Sequence, residues 1–299
     1  VLRMGQVVGT CDPKATSARK MAELMVGGEL HVPTRSGNAP GDIILSLNGL
    51  SAPAQHQFGT PLRNISIDLR RGEILGIGGV AGNGQDELVA ALSGELRTKP
   101  EMVSLKNANI GNLAPNARRA LGLCVSPEER NGHAAAPDMS LTENALLSGQ
   151  TRKNLTSKGF LKWDLAKTFA AEIVQTFDVR TPSVANTARS LSGGNLQKFV
   201  IGREILQDPD VFVVNQPTWG VDAAAAASIR QAILNLASQG AAVIVISQDL
   251  DELMEISDRF AALNAGQLFD PRPAQGLSVE EIGLMLGGAH DLEAAHANV

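Results

Sequence analysis

The nine residues Ser190-Leu-Ser-Gly-Gly-Asn-Leu-Gln-Lys198 decide how the rest of the chain is read. Ser192, Gly193 and Gly194 put a hydroxyl and two unobstructed backbone N–H groups at the head of a helix running through Gln197 to Leu206. A helix start carries unpaired N–H groups and the positive end of the peptide dipole, so such a head is directed at an anion. Alone, four residues of this kind also describe an ordinary glycine turn capping a helix. Their weight comes from what stands on either side.

Upstream, Glu73-Ile-Leu-Gly-Ile-Gly78 reads as a buried strand and Asp86 to Leu92 as a helix. Between them, Gly79-Val-Ala-Gly82-Asn83-Gly84-Gln85-Asp86 has the spacing of a phosphate-binding loop, G-x-x-x-x-G-K-[ST], with Gln85 for the Lys and Asp86 for the hydroxyl residue. The backbone cradle of Gly79, Gly82, Asn83 and Gly84 is kept. The Lys charge beside the β- and γ-phosphates and the hydroxyl on Mg²⁺ are not. Gln85 removes a positive charge and Asp86 adds a negative one; each unit charge at about 4 Å is worth about 4 kcal/mol at an effective dielectric near 20, and two such changes exceed the roughly 1–3 kcal/mol from stacking an adenine. ATP held weakly or not at all is expected here, with an unliganded strand-to-helix turn as the plain alternative. Asp86 is read first as a cap on the helix N–H groups and second as a weak Mg²⁺ ligand together with Asn215.

Downstream, the apolar run Val211-Phe-Val-Val214 ends in Asn215-Gln216, then Pro217-Thr-Trp-Gly220-Val-Asp222. Asp and Glu at 215 and 216 would hold Mg²⁺ and polarise water; amides supply neither the charge nor the base. Trp219 is expected to pack or to face a partner rather than stack on a base. After the buried strand Ala241-Ala-Val-Ile-Val-Ile246, Gln248 stands where a charge-bearing His would contact a terminal phosphate, and Gln can only donate a hydrogen bond. Glu128, in Ser126-Pro-Glu-Glu-Arg130, follows the strand Leu121 to Val125. His56 and Phe58 are the candidate adenine-stacking side chains, in a chain with no Tyr.

The bulk numbers narrow the class. The 299 residues, 43% hydrophobic, bury one to two domains, and the net charge of −5 with no basic block argues against a nucleic-acid surface. Cys11 and Cys124 are too few for a disulfide framework and lack metal-ligand spacing. No apolar run nears the roughly 20 residues of a membrane span, and Val1-Leu-Arg-Met-Gly5 lacks the layout of a signal peptide.

The two ends of the chain resemble each other. Val1-Leu-Arg-Met-Gly5-Gln-Val-Val matches Ala262-Leu-Asn-Ala-Gly266-Gln-Leu-Phe269, and Asp12-Pro13 matches Asp270-Pro271. Each copy then runs into a helix-like stretch, ending Leu24-Met-Val-Gly-Gly28 and Leu284-Met-Leu-Gly-Gly288. The repeat predicts that residues 1–31 are the tail of a preceding domain, a reading with which Val at position 1 agrees. A Pro/Gly linker spans 32–41. The main domain runs 42–270, with a helical subdomain about 134–190 opened by the capping box Ser140-Leu-Thr-Glu143, and 271–299 form a C-terminal helical extension.

Pro127-Glu-Glu-Arg130, Leu191-Ser-Gly-Gly-Asn195, Gln216-Pro-Thr-Trp-Gly-Val-Asp222 and Ser247-Gln-Asp-Leu-Asp-Glu-Leu253 resemble the second nucleotide-binding domain of tandem ATP-binding-cassette (ABC) importer ATPases for simple sugars and nucleosides, the nucleoside branch above all. The ordered motifs span Asp42 to about Phe269. The resemblance implies an α/β fold: an ABC-type P-loop NTPase core, RecA-like, with a mixed sheet, an antiparallel β-subdomain and an inserted helical subdomain. It makes Ser192–Gly194 the signature loop, Asn215 and Gln216 the Walker B positions, Gln248 the switch and Glu128 the Q-loop position. It implies partners too: an N-terminal ABC domain of the same polypeptide, membrane permease subunits and, indirectly, an extracytoplasmic binding protein. The location implied is peripheral, on the cytoplasmic face of the membrane. With Lys, both Walker B acids and the switch His replaced, this half is expected to be catalytically deficient and to lend its signature loop to the partner's site. A slow Mg²⁺-dependent ATPase using Asp86 and Gln216 is the alternative; a soluble ABC protein acting on DNA or ribosomes is disfavoured by the acidic balance.

Overall fold

The computed structural model describes residues 1–3, 5–12, 16, 21, 24 and 40–288. The helix-like stretch ending at Gly28, most of the 32–41 linker and residues 289–299 lie outside the described residues.

A short hairpin, β1 (Leu2–Arg3) with β2 (Gln6–Val7), comes first. β3 (Ile43–Ala52) and β4 (Leu62–Arg70) then pair antiparallel, alternating buried and exposed side chains along β4 as a half-covered sheet requires. β5 (Ile74–Gly78) is buried throughout and feeds α1 (Gln85–Ser93). β6 (Val103–Leu105) joins β3, and β7 (Ala108–Asn109) joins β6, completing a four-stranded antiparallel sheet in the order β4-β3-β6-β7. After α2 (Pro115–Leu121) and β8 (Leu123–Ser126) the chain leaves the core for α3 (Leu141–Gly149), a small hairpin of β9 (Thr156–Ser157) with β10 (Phe160–Leu161), and α4 (Trp163–Thr176). α5 (Gly193–Ile205) leads back to β11 (Val211–Asn215), followed by α6 (Ala223–Ser238), β12 (Ala242–Ser247), α7 (Leu250–Ile256) and β13 (Arg259–Asn264). β14 (Gln267–Leu268), β15 (Arg272–Pro273) and α8 (Val279–Leu286) close the fold.

β13, β5, β12, β11 and β8 lie side by side in a parallel sheet, with β14 and β15 antiparallel at its β13 edge. Both faces are covered, which is why these strands read as continuous apolar runs. Val211, Val213, Ile244 and Ile246 face one core with α1 and the antiparallel sheet; Phe212, Val214, Val243 and Val245 face the other with α6, α7 and α8. A third core joins α3, α4 and the apolar face of α5 through Phe169, Ile173, Leu196 and Phe199. The Ser140–Glu143 capping box forms, with both reciprocal bonds. Ile282 and Met285 of α8 are buried in the same core as β12, so the packing of the main domain runs on past residue 270.

Candidate functional site

The glycine loop leaves the centre of the parallel sheet and is pinned from two sides. Thr60 Oγ1 donates to Gly82 O at 2.6 Å, while Ala265 N–H and Gly266 N–H reach Asn83 Oδ1 and Asn83 O, each at 2.9 Å. Within it the Gln85 side chain folds back: Nε2 donates to Val80 O at 2.9 Å and Oε1 accepts Asn83 N–H at 2.9 Å. That N–H is one of the loop amides an anion would otherwise use. Asp86 is exposed, and its carboxylate takes the Asn215 amide at 3.5 Å rather than the N–H groups of α1. This departs from the capping expectation for a geometric reason. Gly84 holds the N-cap position, so Asp86 already lies inside the first turn and points sideways toward β11. Asn215 is 1% exposed and its Oδ1 has no hydrogen-bond partner among the described residues.

Parallel register gathers the remaining positions along the same edge. Val214 pairs with Ser126, Asn215 with Ile246, and Ser247 with Gly78. The residues just beyond these strand ends, Glu128, Gln216, Gln248 and Gly79, therefore stand along one rim. Gln216 leaves β11 with φ of 52°, its N–H on Ile246 O at 2.8 Å, a backbone region non-glycine residues seldom occupy outside functional turns. Gln248 is exposed. A cleft of about 820 Å³ opens here, lined by Asp86, Glu87, Glu95, Glu128 and Glu129, with Arg130, His133 and His56 as its basic residues. Burial, and then the charge of Asp86, hold the Glu128 carboxyl above its ordinary range, with Arg130 pulling the other way. His56 lines this cleft, whereas Phe58 is 89% exposed and is not among its lining residues. Among the described residues, no three His, Cys, Asp or Glu side chains form a metal-binding group.

The head of α5 adjoins the cleft across Gly220, which lines both the cleft and a second hollow. Ser192 and Gly193 are exposed, and Ser192 Oγ makes no cap bond to the helix but accepts Asn195 Nδ2 at 2.9 Å. Asn195 Oδ1 in turn takes Arg180 N–H at 2.9 Å. The N–H groups of Gly193 and Gly194 meet no acceptor among the described residues. Ser192, Gly194, Asn195, Gly220 and Asp222 line a hollow of about 400 Å³ with Lys198 and Arg180 on its wall. Trp219 projects beside it, 63% exposed.

Comparison with known proteins agrees with this geometry. The ABC transporter family model matches residues 62–219, more than half of the chain. The chain belongs to the ABC transporter family. This ABC cassette is 35% identical over 300 residues to the guanosine import ATP-binding protein NupO of Bacillus subtilis (strain 168), covering 100% of the chain and 58% of that protein. It is 37% identical over 297 residues to the glucose import ATP-binding protein TsgD13 of Haloferax volcanii, covering 98% and 54%. The chain thus spans a little over half the length of these relatives. Among solved structures, a nucleotide-free ATP-binding cassette from an ABC transporter superposes with a TM-score of 0.64 at 20% identity, over 86% of this chain and 99% of that one. A dimeric bacterial ABC transporter cassette gives 0.65 at 18%, over 78% and 100%. The fold is the ABC ATPase cassette: a mixed sheet, an antiparallel β-subdomain and a helical part.

Three features of the cassette escape sequence reading. His133 Nε2 meets Glu95 Oε1 and Oε2 at 3.0 and 3.1 Å across the wall of the acidic cleft; their hydrogen bond raises the imidazole pKa and lowers the carboxyl's. Glu252, 1% exposed, accepts Ser247 Oγ at 2.9 Å behind the end of β12, and burial pushes its carboxyl up. Arg130 crosses the cleft to donate to Trp219 O. Residues 38 and 89 positions apart meet in the first and third, and no local pattern announces either.

Proposed function

We propose that this chain is the second, non-hydrolysing cassette of a tandem ABC importer ATPase for sugars or nucleosides, and that its signature loop completes the ATP site of a partner cassette. The observation that carries the reading is the contrast between the cleft and the head of α5. At its own loop, Gln85 covers an anion-facing amide and five carboxylates line the cleft, an environment that repels a triphosphate. These residues do not fit Mg²⁺–ATP. At the head of α5, Ser192 and Gly193 stand exposed, and the N–H groups of Gly193 and Gly194 meet no acceptor among the described residues. Such a head suits an anion held by a second cassette, whose charge preorganised donors stabilise.

The repeat supports a preceding cassette. Gly5 and Gly266 turn their hairpins with φ of 77° and 76°, and Leu2↔Val7 with Arg3↔Gln6 repeats Leu263↔Leu268 with Asn264↔Gln267. Gly266 is packed against Pro61 and Gly84 of its cassette, whereas a Cβ at Gly5 would meet nothing within 4 Å among the described residues. The same turn in the same register suits a tail whose own cassette precedes it. No helix among the described residues is long and apolar enough to cross a membrane. Attachment through permease subunits at the cytoplasmic face, with an extracytoplasmic binding protein delivering substrate, completes the proposal. The names of the import relatives support it.

Asn215 Oδ1, which has no hydrogen-bond partner among the described residues and lies beside Asp86, favours a second reading, a slow Mg²⁺-dependent ATPase using Asp86 and Gln216. A Mg²⁺–ATP titration of this chain, with ATPase assays of the full transporter carrying Ser192→Ala, Gly194→Asp or Gln85→Ala, separates the two. The proposal expects no tight binding to the chain, losses of about 10²–10³ in rate from the signature changes, and little effect of Gln85→Ala. Turnover abolished by Gln85→Ala alone reverses the assignment.

A further inference from the structure

The turn after β8 is closed by its own backbone. Ala134 N–H donates to Glu129 O at 2.9 Å, Ala135 N–H to Arg130 O at 2.8 Å, and Gly132 N–H to Ala135 O at 2.9 Å. A turn bonded in this way is a firm base for the side chain it carries. It touches α5 at both ends. At the head, Arg130 Nη2 donates to Trp219 O, and a Cβ placed on Gly193 or Gly220 would lie 3.0 or 3.1 Å from the guanidinium nitrogens. At the far end, buried Arg203 donates to Ala134 O at 2.7 Å. Gly193 and Arg203 are about 15 Å apart along the helix axis. Two fixed points on one rigid helix set both its position and its tilt.

A cation beside a helix N-terminus opposes the helix dipole, so stability of α5 does not explain where Arg130 sits. Its planar fork does. One nitrogen bonds the Trp219 carbonyl while the guanidinium sits close against Gly193 and Gly220, where an added Cβ would crowd it.

We infer that Arg130 is a positioning residue that clamps the head of α5 to the Trp219–Gly220 turn, so that the signature loop and the segment after β11 are presented as one surface. Its part in turnover rests on the proposed function above; the clamp itself does not. Lys reaches one acceptor but cannot lay a plane against the two glycines.

Amide hydrogen exchange on this chain tests the clamp. The probes are Leu196 N–H, bonded to Ser192 O at 2.9 Å, and Trp219 and Val221 N–H, bonded to Gln216 O and Thr218 O at 3.2 and 3.3 Å. Arg130→Gln should speed exchange about tenfold at both places, the low end for losing a charge-assisted bond, and leave the amides of β11 unchanged. Arg130→Lys should restore the Trp219 segment more than Leu196. Acceleration at one segment only, or at neither, overturns the inference. Should β11 also accelerate in Arg130→Gln, the same comparison in Arg130→Lys decides.

In the full transporter, Arg130→Gln should lower kcat about tenfold with KM for ATP unchanged, beside Ser192→Ala as control. If Ser192→Ala slows turnover and Arg130→Gln does not, the positioning role fails while the proposed function stands. If Ser192→Ala itself is silent, the proposed function fails and the exchange result judges the clamp.

Discussion

Restoring the two missing groups of the phosphate loop should convert it into a nucleotide site, and the gain can be worked out. Gln85→Lys with Asp86→Ser makes the loop more positive by two unit charges. Each unit at about 4 Å from a phosphate contributes about 1 kcal/mol in water and about 4 kcal/mol at an effective dielectric near 20. Asp86 is exposed and takes the lower figure; Gln85 is half-buried and takes the upper part of the range, about 2–4 kcal/mol. The sum is about 3–5 kcal/mol. Against it stand the two neutral bonds of Gln85, to Val80 O and from Asn83 N–H, whose loss costs about 1 kcal/mol together once water replaces them. The net is about 2–4 kcal/mol, or roughly 30- to 700-fold tighter Mg²⁺–ATP binding. Isothermal titration of the chain and of the double variant at low and moderate salt measures it, and the gain should shrink as salt screens the exposed part. Equal affinity for ATP in the two proteins would refute the reasoning, because charge at 85 and 86 would then not govern the site.

Three further outcomes follow from the packing. Arg118 is fully buried and donates to Leu113 O, Ala91 O, Leu92 O and Gly111 O at 3.0, 2.5, 2.9 and 2.7 Å, closing the C-terminal end of α1. Arg118→Met should therefore cost about 2–4 kcal/mol in urea unfolding, with a loss below about 1 kcal/mol counting against it. Gly266→Ala should be strongly destabilising, since its Cβ would collide with Pro61 O, while Gly5→Ala carries only the left-handed strain of about 1 kcal/mol; similar melting points for the two would contradict the difference in surroundings. The His133 pKa lies above its ordinary 6.5, so its contribution to stability is complete below that pH and is lost as pH rises through the raised value. Glu95, held below 4.5, contributes above that value and loses its part as pH falls through the lowered one. The stability gap between the parent and His133→Gln should be widest between these limits, under about 1 kcal/mol because both groups are well exposed, and a gap growing toward pH 8 would be the wrong sign.

Local signals carried most of the fold. The buried runs of β5, β11 and β12 and the capping box at Ser140 lie in short stretches whose periodicity or spacing has one physical reading, and the order of the motifs gives the glycine loop its place among them. Asp86 shows where that legibility stops. As a carboxylate near a helix start it reads as a cap, and only the placement of Gly84 at the N-cap turns it toward Asn215, 129 positions away. Arg130 is similar, an ordinary charged turn residue until the chain folds Trp219 and Gly193 against it.

By itself the sequence determined the cassette architecture, the amides at positions 85, 215, 216 and 248 and the carboxylate at 86, because side-chain chemistry and helix or strand period are local properties of the chain. Tertiary structure alone decided which charges share one cleft, that Asp86 meets Asn215, and that one turn grips α5 at both ends. Those facts depend on parallel register and on contacts between segments tens to more than a hundred residues apart. No local pattern encodes such distances, because they are set only when the two cores pack against both faces of the sheet.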